Sequence, residues 1–152
     1  MKFTRHFAHW PPGQPQSLDL PPTTVYDNLA ESAARHRQRA AIDFYGSRLS
    51  YAELKRQVDA LAGYLQQRRG VARGERVLLY AQNSPQYVIG YYAILRAGGV
   101  VVPVNPMNRT EELRHYVEDS DARVALAGQD VLPQLEPLGL AHVMPIVYSD
   151  YL

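Results

Sequence analysis

The chain has 152 residues, no cysteine and a formal net charge of +1. That length suffices for one domain with a substantial core, and the missing cysteine excludes disulfides, thiol catalysis and cysteine-ligated zinc. Sixteen basic residues balance fifteen acidic ones, so the whole chain produces no field of one sign that would attract nucleic acid or acidic lipid. We therefore expect no nucleic-acid partner.

Neither a signal peptide nor a transmembrane segment is predicted. The start of the chain has no apolar core of signal-peptide length, which favours a cytoplasmic protein. Residues 87–104 form an apolar run that is nearly long enough to cross a bilayer. Arg96 lies inside that run, and Gly98, Gly99 and Pro103 interrupt it, so a buried helix followed by a buried strand explains it better.

The N-terminal segment differs in composition from the rest of the chain. Residues 1–22 are rich in proline and have no helical or strand periodicity. Because proline cannot donate a backbone hydrogen bond, we predict an extended arm here. The aromatic residues Phe3, Phe7 and Trp10 indicate that this arm lies on a surface. We predict that residues 23–152 form one α/β subdomain.

A helix and a small hairpin open this subdomain. Thr24, followed three residues later by Asp27, resembles a capping box and predicts a helix that runs to about residue 37. We expect the buried stripe of this helix to consist of Val25, Leu29 and Ala33. Residues 41–45 alternate as a strand does, and residues 48–50 return as its hairpin partner.

The next two helices have clear start and stop signals. Ser50 and Glu53 form a full capping box, and Gly70 ends the helix that they open. Pro85 stands at the first position of the following helix, which is apolar nearly all round and stops at the Gly98-Gly99 pair.

Four strands and the connecting helices complete the pattern. Continuous apolar strands are predicted over residues 76–81 and 100–104, and Pro103 must lie at a strand end or in an edge strand. A helix from Thr110, a strand over 123–127, a short helix over 129–138 and a strand over 142–147 follow. This alternation predicts a doubly wound, mostly parallel sheet with helices on both faces and right-handed crossovers.

The loops where such a sheet binds ligands carry no familiar catalytic motif. Ligands usually bind at the carboxyl ends of the strands, but the loops at 82–84, 105–108 and 128–130 contain no lysine and no glycine cradle. The sequence contains no dinucleotide fingerprint, no phosphate-binding loop and no nucleophile elbow.

Several polar groups have two interpretations each. The groups are the pair His6 and His9, the isolated His36, His115 and His142, the acidic residues Glu111, Glu112, Glu118, Asp119 and Asp121, and the tyrosines Tyr87, Tyr91 and Tyr92. The histidines are metal ligands or surface and helix-end residues. The acids are paired catalytic carboxylates or solvated helix ends. The tyrosines line a ligand tunnel or pack in the core. The second interpretation is favoured each time.

Two motifs together resemble those of a known superfamily. Residues 49–54 (LSYAEL) are similar to the first core motif of the adenylate-forming superfamily, and residues 95–106 (LRAGGVVVPVNP) are similar to the second. Residues 74–77 and 83–87 fit the same family at the expected distances. This superfamily includes acyl-CoA synthetases, luciferases and peptide-synthetase adenylation domains. The resemblance covers about residues 24–147, and the ending Asn105-Pro106 is more like the fatty-acyl and aryl CoA ligases than amino-acid activating domains.

The resemblance implies a two-step reaction by a longer parent enzyme. A carboxylate attacks the α-phosphate of ATP to give an acyl-adenylate and pyrophosphate, and coenzyme A then takes the acyl group and releases AMP. Mg²⁺ would screen the phosphates. The family's catalytic motifs lie beyond the matched region, so we assign no catalytic, cofactor-binding or metal-binding residue to this chain.

The expected partners follow from that interpretation. They are a carboxylic acid substrate and the remainder of the parent chain. A homodimer is a further possibility. We expect these 152 residues alone to be inactive. A stand-alone, non-catalytic binding or interaction module with the same fold is the alternative, and a nucleotide-binding enzyme of another doubly wound family is disfavoured by the missing phosphate loop.

Overall fold

A computed structural model describes residues 4–152 and consists of a hairpin, a four-stranded sheet and helices on both sheet faces. Phe3, which we expected on a surface, lies outside the described residues. The elements are α1 (Val25–Arg35), β1 (Ala40–Phe44), β2 (Ser47–Ser50), α2 (Tyr51–Arg69), β3 (Arg76–Tyr80), α3 (Pro85–Arg96), β4 (Val100–Val104), α4 (Thr110–Ser120), β5 (Val124–Gly128) and β6 (His142–Ile146), with 3₁₀ turns at Arg5–His9, Gln129–Gln134, Glu136–Leu138 and Tyr148–Tyr151.

The predicted doubly wound sheet is confirmed. Its strand order is β4-β3-β5-β6, and every neighbouring pair is parallel. The chain moves outward from β3 to β4 and then crosses back to β5, so the direction of winding reverses between β3 and β5. Alternate residues of β3 face opposite sides: Val77 and Leu79 pack with α2 and α3, while Leu78 and Tyr80 pack with α4 and the 3₁₀ turns.

Both edge strands carry a proline whose nitrogen faces away from the sheet. The Val100 N–H donates to the Glu75 carbonyl oxygen at 2.8 Å, so the period of two turns the nitrogen of Pro103 to the open edge. Pro145 of β6 occupies the equivalent place. The prediction of an edge position for Pro103 is therefore confirmed. The prediction of a buried strand over 100–104 is partly wrong, because an edge strand has one neighbour only and Val100 is 46% exposed.

The buried stripe of α1 differs from the prediction by one residue. Tyr26, Leu29 and Ala33 are buried, whereas Val25 is 49% exposed. The helix begins at Val25 because the Asp27 carboxylate accepts hydrogen bonds from the Thr24 N–H at 2.6 Å and from the Thr24 hydroxyl at 2.8 Å. Tyr26 rather than Val25 faces α2, where its hydroxyl donates to the Asp59 carboxylate at 2.5 Å.

A half-buried carboxylate, Asp59 of α2, joins three helices. Asp59 accepts hydrogen bonds from the Tyr26 hydroxyl of α1 at 2.5 Å and from the Lys55 ammonium at 2.6 Å. The Arg96 guanidinium of α3 lies 3.5 Å from the carboxylate and 5.0 Å from the centre of the Tyr26 ring. Burial raises the pKa of Asp59, but the hydrogen bonds from Lys55 and Tyr26 and the positive charges of Lys55 and Arg96 together outweigh burial, so the pKa of Asp59 is lowered.

Of the two side-chain hydrogen bonds predicted for the capping box of α2, one forms and the other does not. The Ser50 hydroxyl accepts a hydrogen bond from the Glu53 N–H at 3.2 Å, and Gly70 ends the helix in the left-handed conformation at φ 67°. The Glu53 carboxylate does not reach back. It accepts instead from Arg56 at 2.5 Å and from Gln57 at 2.9 Å, and these hydrogen bonds lower the pKa of Glu53 to about 2.

Two segments are irregular where prolines stand. The short helix predicted over 129–138 forms as two 3₁₀ turns rather than as one helix, with Pro133 inside the first turn and Pro137 near the start of the second. The arm is less extended than predicted, because Arg5–His9 forms one 3₁₀ turn. Among the described residues, no helix is both long and apolar enough to cross a membrane.

Candidate functional site

The carboxyl ends of β3, β5 and β6 meet in one crevice, at the point where the winding of the sheet reverses. The switch-point crevice is formed by Gln82, Gly128, Asp130 and Tyr148. The Tyr148 hydroxyl accepts a hydrogen bond from the Gln82 N–H at 2.8 Å. A Cβ added at Gly128 would lie 2.5 Å from that hydroxyl and 2.7 Å from the Asp130 Oδ1. The phenol of Tyr148 therefore fills the place where sheets of this type usually receive a ligand.

The segment after β6 holds Tyr148 in the crevice. Tyr148 begins the 3₁₀ turn that follows β6, and the Gln86 amide of α3 donates to the Val147 carbonyl oxygen at 2.5 Å. At the other end of the turn, the Tyr151 hydroxyl donates to the Gln57 side-chain oxygen of α2. Contacts from two helices on the same sheet face thus fix this segment.

A second tyrosine anchors the loop after β4. The Asn105 side-chain oxygen accepts from the Met107 N–H at 3.0 Å, which forms the turn that the Asn-Pro pair predicts. The Tyr80 hydroxyl of β3 donates to the Asn108 carbonyl oxygen at 2.6 Å. Burial raises the pKa of Tyr80, so this phenol is a neutral hydrogen-bond donor at neutral pH.

An open cleft of about 560 Å³ adjoins the crevice. Its lining residues are Phe44, Tyr45, Gln82, Asn83, Tyr148 and Leu152. They supply aromatic rings, two amides and one phenol, and none of these side chains carries a charge at neutral pH. Burial is the main cause that raises the pKa of Tyr148, so its phenol does not act as a base near neutral pH. The cleft can contact an apolar or aromatic group but offers no nucleophile and no proton acceptor of suitable strength.

The residues at this end of the sheet do not fit a nucleoside triphosphate with Mg²⁺. A phosphate cradle needs free backbone N–H groups and a cation, but the Gln82 N–H is bound to Tyr148 and the space above Gly128 is filled. Asp130 is the single carboxylate of the crevice, whereas Mg²⁺ favours several oxygen ligands. We derive no catalytic step through ATP, Mg²⁺ or coenzyme A from these residues.

The polar groups with two interpretations behave as surface or core residues. Tyr87, Tyr91 and Tyr92 are half-buried and pack against the core, so the packing interpretation is confirmed. His36 caps the end of α1, and His115 is exposed. His6 and His9 lie in the 3₁₀ turn of the arm. Within residues 4–152, no group of three or more His, Asp or Glu side chains is placed to hold a metal ion.

The acidic residues of α4 are solvated, as expected. Glu111, Glu112, Glu118 and Asp119 are exposed, and the Glu112 carboxylate accepts from the Arg109 N–H at 2.6 Å at the helix start. Asp121 ends the helix and lies 3.4 Å from Arg76. Sequence reasoning missed Tyr148, although an aromatic residue directly after the last strand, beside a strand that ends in glycine, is a usable signal.

Comparison with known proteins assigns the family. The model of the AMP-binding enzyme family matches residues 29–150. The chain belongs to this family.

The relatives of this AMP-binding family member include acid–CoA ligases as well as a synthetase named triostin synthetase I. A long-chain-fatty-acid–CoA ligase of Bacillus subtilis is 36% identical over 84% of the chain, and triostin synthetase I of Streptomyces triostinicus is 37% identical over 80% of it. The structure of an anthranilate CoA ligase with anthranoyl-AMP superposes with a TM-score of 0.79 at 22% identity, over 84% of this chain and 26% of the ligase.

These comparisons confirm the family resemblance and the fold expected from it. They also set its extent, because the chain spans 22% of the Bacillus ligase and 23% of the triostin synthetase. The two core motifs lie at the start of α2 and at the turn from α3 to β4.

Proposed function

We propose that this chain is the N-terminal subdomain of an ATP-dependent acid–CoA ligase. The parent would join a fatty or aromatic acid to AMP and then transfer the acyl group to coenzyme A, with Mg²⁺ on the phosphates of ATP. The observation that carries the proposal is the family match over residues 29–150, together with the fatty-acid ligase relative that is identical at 36% of 127 positions.

The role that we propose for this subdomain is structural. Both core motifs serve folding: Ser50 caps α2, and Gly98, at φ 84°, turns α3 into β4. The crevice at the carboxyl ends is filled by Tyr148 and lacks a cation among its lining residues. We infer that the remainder of the parent chain supplies the catalytic groups, that this chain supplies none, and that the enzyme works in the cytoplasm. A homodimeric parent is compatible with this proposal.

Two measurements test the proposal. The native polypeptide length is obtained by reading the gene past Leu152 and by intact mass from the source cell. The parent and the 152-residue chain are then assayed side by side for pyrophosphate release and acyl-CoA formation, with fatty acids, aryl acids and amino acids as substrates. We expect turnover by the parent with a fatty or aryl acid and none by the short chain. Selective turnover of amino acids, or activity of the short chain, contradicts the proposal.

A stand-alone binding module is the second candidate. The open cleft of about 560 Å³ favours it, because its lining of aromatic rings, amides and a leucine can bind an apolar group without any catalytic machinery. A native polypeptide that ends at Leu152 would replace the ligase interpretation by this one. A native chain several times longer, with acid–CoA ligase activity, would exclude it.

A further inference from the structure

The tip of the β1–β2 hairpin holds an aromatic residue in an unfavourable backbone conformation. Phe44 pairs with Ser47, so Tyr45 and Gly46 form a two-residue turn with φ 50° and φ 87°. A turn with positive φ at both positions favours asparagine, aspartate or glycine, and a tyrosine there is uncommon. Tyr45 is nevertheless 86% exposed. Neither the turn nor the buried core of the subdomain therefore accounts for this aromatic ring.

The Tyr45 ring is held in a fixed position, where it lines the open cleft of about 560 Å³. Its centroid lies 4.7 Å from that of Phe44 at an interplanar angle of 84°, which is an edge-to-face contact. Across the hairpin, the Asp43 carboxylate accepts a hydrogen bond from the Arg48 guanidinium at 2.8 Å. Backbone strain that surrounding contacts maintain occurs mainly at functional sites. We therefore expect the hairpin tip to contact a partner.

The lining of this cleft is typical of the centre of a protein interface. Aromatic residues are enriched and charged residues are depleted at such centres, and the side chains of this cleft include three aromatic rings and no charged group. By contrast, Glu112 and Asp119 line the groove between β4 and α4. The Gln82 and Asn83 side chains make no hydrogen bond within residues 4–152. Both amides are therefore available to a backbone that crosses the cleft.

The position of Leu152 selects the occupant of the cleft. Leu152 lines the same cleft and is 71% exposed, and the chain spans 22% of the Bacillus ligase. Under the proposed function the parent chain continues past Leu152, so its next residues start in the cleft. A covalently attached segment has a high effective concentration at such a place. A second copy or a small apolar molecule would have to compete with this tethered segment.

We propose that the first residues after Leu152 in the parent chain, about ten at most, cross the cleft and pack against Phe44 and Tyr45. An apolar side chain of this segment contacts the two rings, and its backbone forms hydrogen bonds with the Gln82 and Asn83 amides. The hairpin tip is thus the contact that joins this subdomain to the following part of the enzyme. The proposal rests on the proposed function, because it requires a parent that continues past Leu152.

A photo-cross-linker at the hairpin tip identifies the occupant. The parent enzyme is produced with p-benzoylphenylalanine in place of Tyr45, irradiated, digested and analysed by mass spectrometry. We expect an intramolecular cross-link from position 45 to one of the about ten residues that follow Leu152. The matched control carries p-benzoylphenylalanine in place of Tyr64, which is 38% exposed and lies on α2 outside the cleft. We expect the control to form no cross-link to that segment.

The substitution Tyr45→Asn supplies a second test, with opposite effects in the two chains. Asparagine tolerates positive φ better than tyrosine does, so the variant should raise the urea midpoint of the 152-residue chain. In the parent the same substitution removes the contact with the following segment. Amide hydrogen exchange in the residues after Leu152 should then become at least about fivefold faster, whereas Tyr64→Asn should leave it unchanged.

The proposal is overturned when position 45 cross-links to a second copy, to a bound small molecule, or to no residue of that segment. Equal exchange after Leu152 in the Tyr45→Asn variant and in the unsubstituted parent also overturns it. A failure of the proposed function gives different results. A native polypeptide that ends at Leu152 removes both proposals, whereas a longer parent that shows the cross-link without acid–CoA ligase activity contradicts the function alone.

Discussion

Replacing Gly128 by alanine tests whether Tyr148 fills the switch-point crevice. The backbone of Gly128 is at φ −56° and ψ 140°, which any residue adopts, so an added methyl group strains no dihedral angle. The cost must come from contact. The new Cβ would lie 2.5 Å from the Tyr148 hydroxyl, about 1 Å inside an ordinary contact. The Asp130 carboxylate at 2.7 Å is the end of an exposed side chain and can move away.

The expected magnitude follows from two opposing terms. Overpacking at a well-filled site costs about 1–3 kcal/mol, while glycine-to-alanine at a compatible position gains about 0.4–1 kcal/mol through the unfolded state. We expect Gly128→Ala to lower the free energy of unfolding by about 1–2 kcal/mol. When Tyr148→Phe removes the hydroxyl, the nearest ring atom is Cζ at 3.2 Å. In that background Gly128→Ala should be close to neutral, with a coupling energy of about 1–2 kcal/mol.

The assay is urea unfolding followed by far-ultraviolet circular dichroism. Fluorescence is unsuitable, because the only tryptophan lies in the arm. Gly63→Ala in α2 is the matched control, since nothing lies within 4 Å of its added Cβ, and we expect it to stabilise the chain by up to about 1 kcal/mol. The reasoning is refuted when Gly128→Ala is as harmless as Gly63→Ala, or when it costs the same with and without the Tyr148 hydroxyl.

Three further predictions concern the helices around the sheet. Asp59→Asn should remove about 1 kcal/mol of stability at pH 7. Because the pKa of Asp59 is lowered on folding, its contribution is present above pH 3.8 and is lost as the pH falls further. The variant should therefore lose less stability, measured by unfolding, between pH 7 and pH 3 than the unsubstituted chain, and an equal loss in both would contradict the role of Asp59. Ser84→Ala removes the buried cap that accepts from the Tyr87 N–H at 3.1 Å and should cost about 1–2 kcal/mol; an unchanged urea midpoint would contradict the cap. Leu65→Ala creates a cavity at a fully buried site and should lower the free energy of unfolding by about 2–5 kcal/mol. A smaller decrease, measured by thermal unfolding, would contradict this prediction.

The alternation of strands and helices was predictable from the sequence because each element has a strong local signal. Ser50, Gly70 and Pro85 stand where caps and first turns require them, and the apolar runs of β3 and β5 are long enough for strands with two covered faces. The predictions fail where contacts between residues far apart in the sequence determine which side chain is buried. Val25 is outside because Tyr26 can reach Asp59, and that hydrogen bond joins residues 33 positions apart. No local pattern contains such a pairing.

Strand order was also beyond the local patterns. Alternation predicts parallel strands but does not say which strand lies at an edge, so residues 100–104 were expected to be as buried as β3. Within this strand, Pro103 is the residue that signals an edge position, and it was compatible with a strand end as well as with an edge strand. Pro145 carries the same mark in β6. Reading both prolines together would have assigned both edges of the sheet, because neither residue can join a central ladder.

The switch-point crevice explains why the motifs that identify the family carry little information about the substrate in this part of the fold. The motif over 95–106 is fixed by backbone demands: Gly98 adopts φ 84°, and a Cβ at Gly99 would lie 3.1 Å from the Glu75 carbonyl oxygen. These demands concern how α3 joins β4 and involve no contact with a substrate. The residues that would distinguish substrates must touch the acid, and in this part of the fold the ligand position is occupied by Tyr148. The similarity to both a fatty-acid ligase and a triostin synthetase agrees with the structural role that we propose for this region.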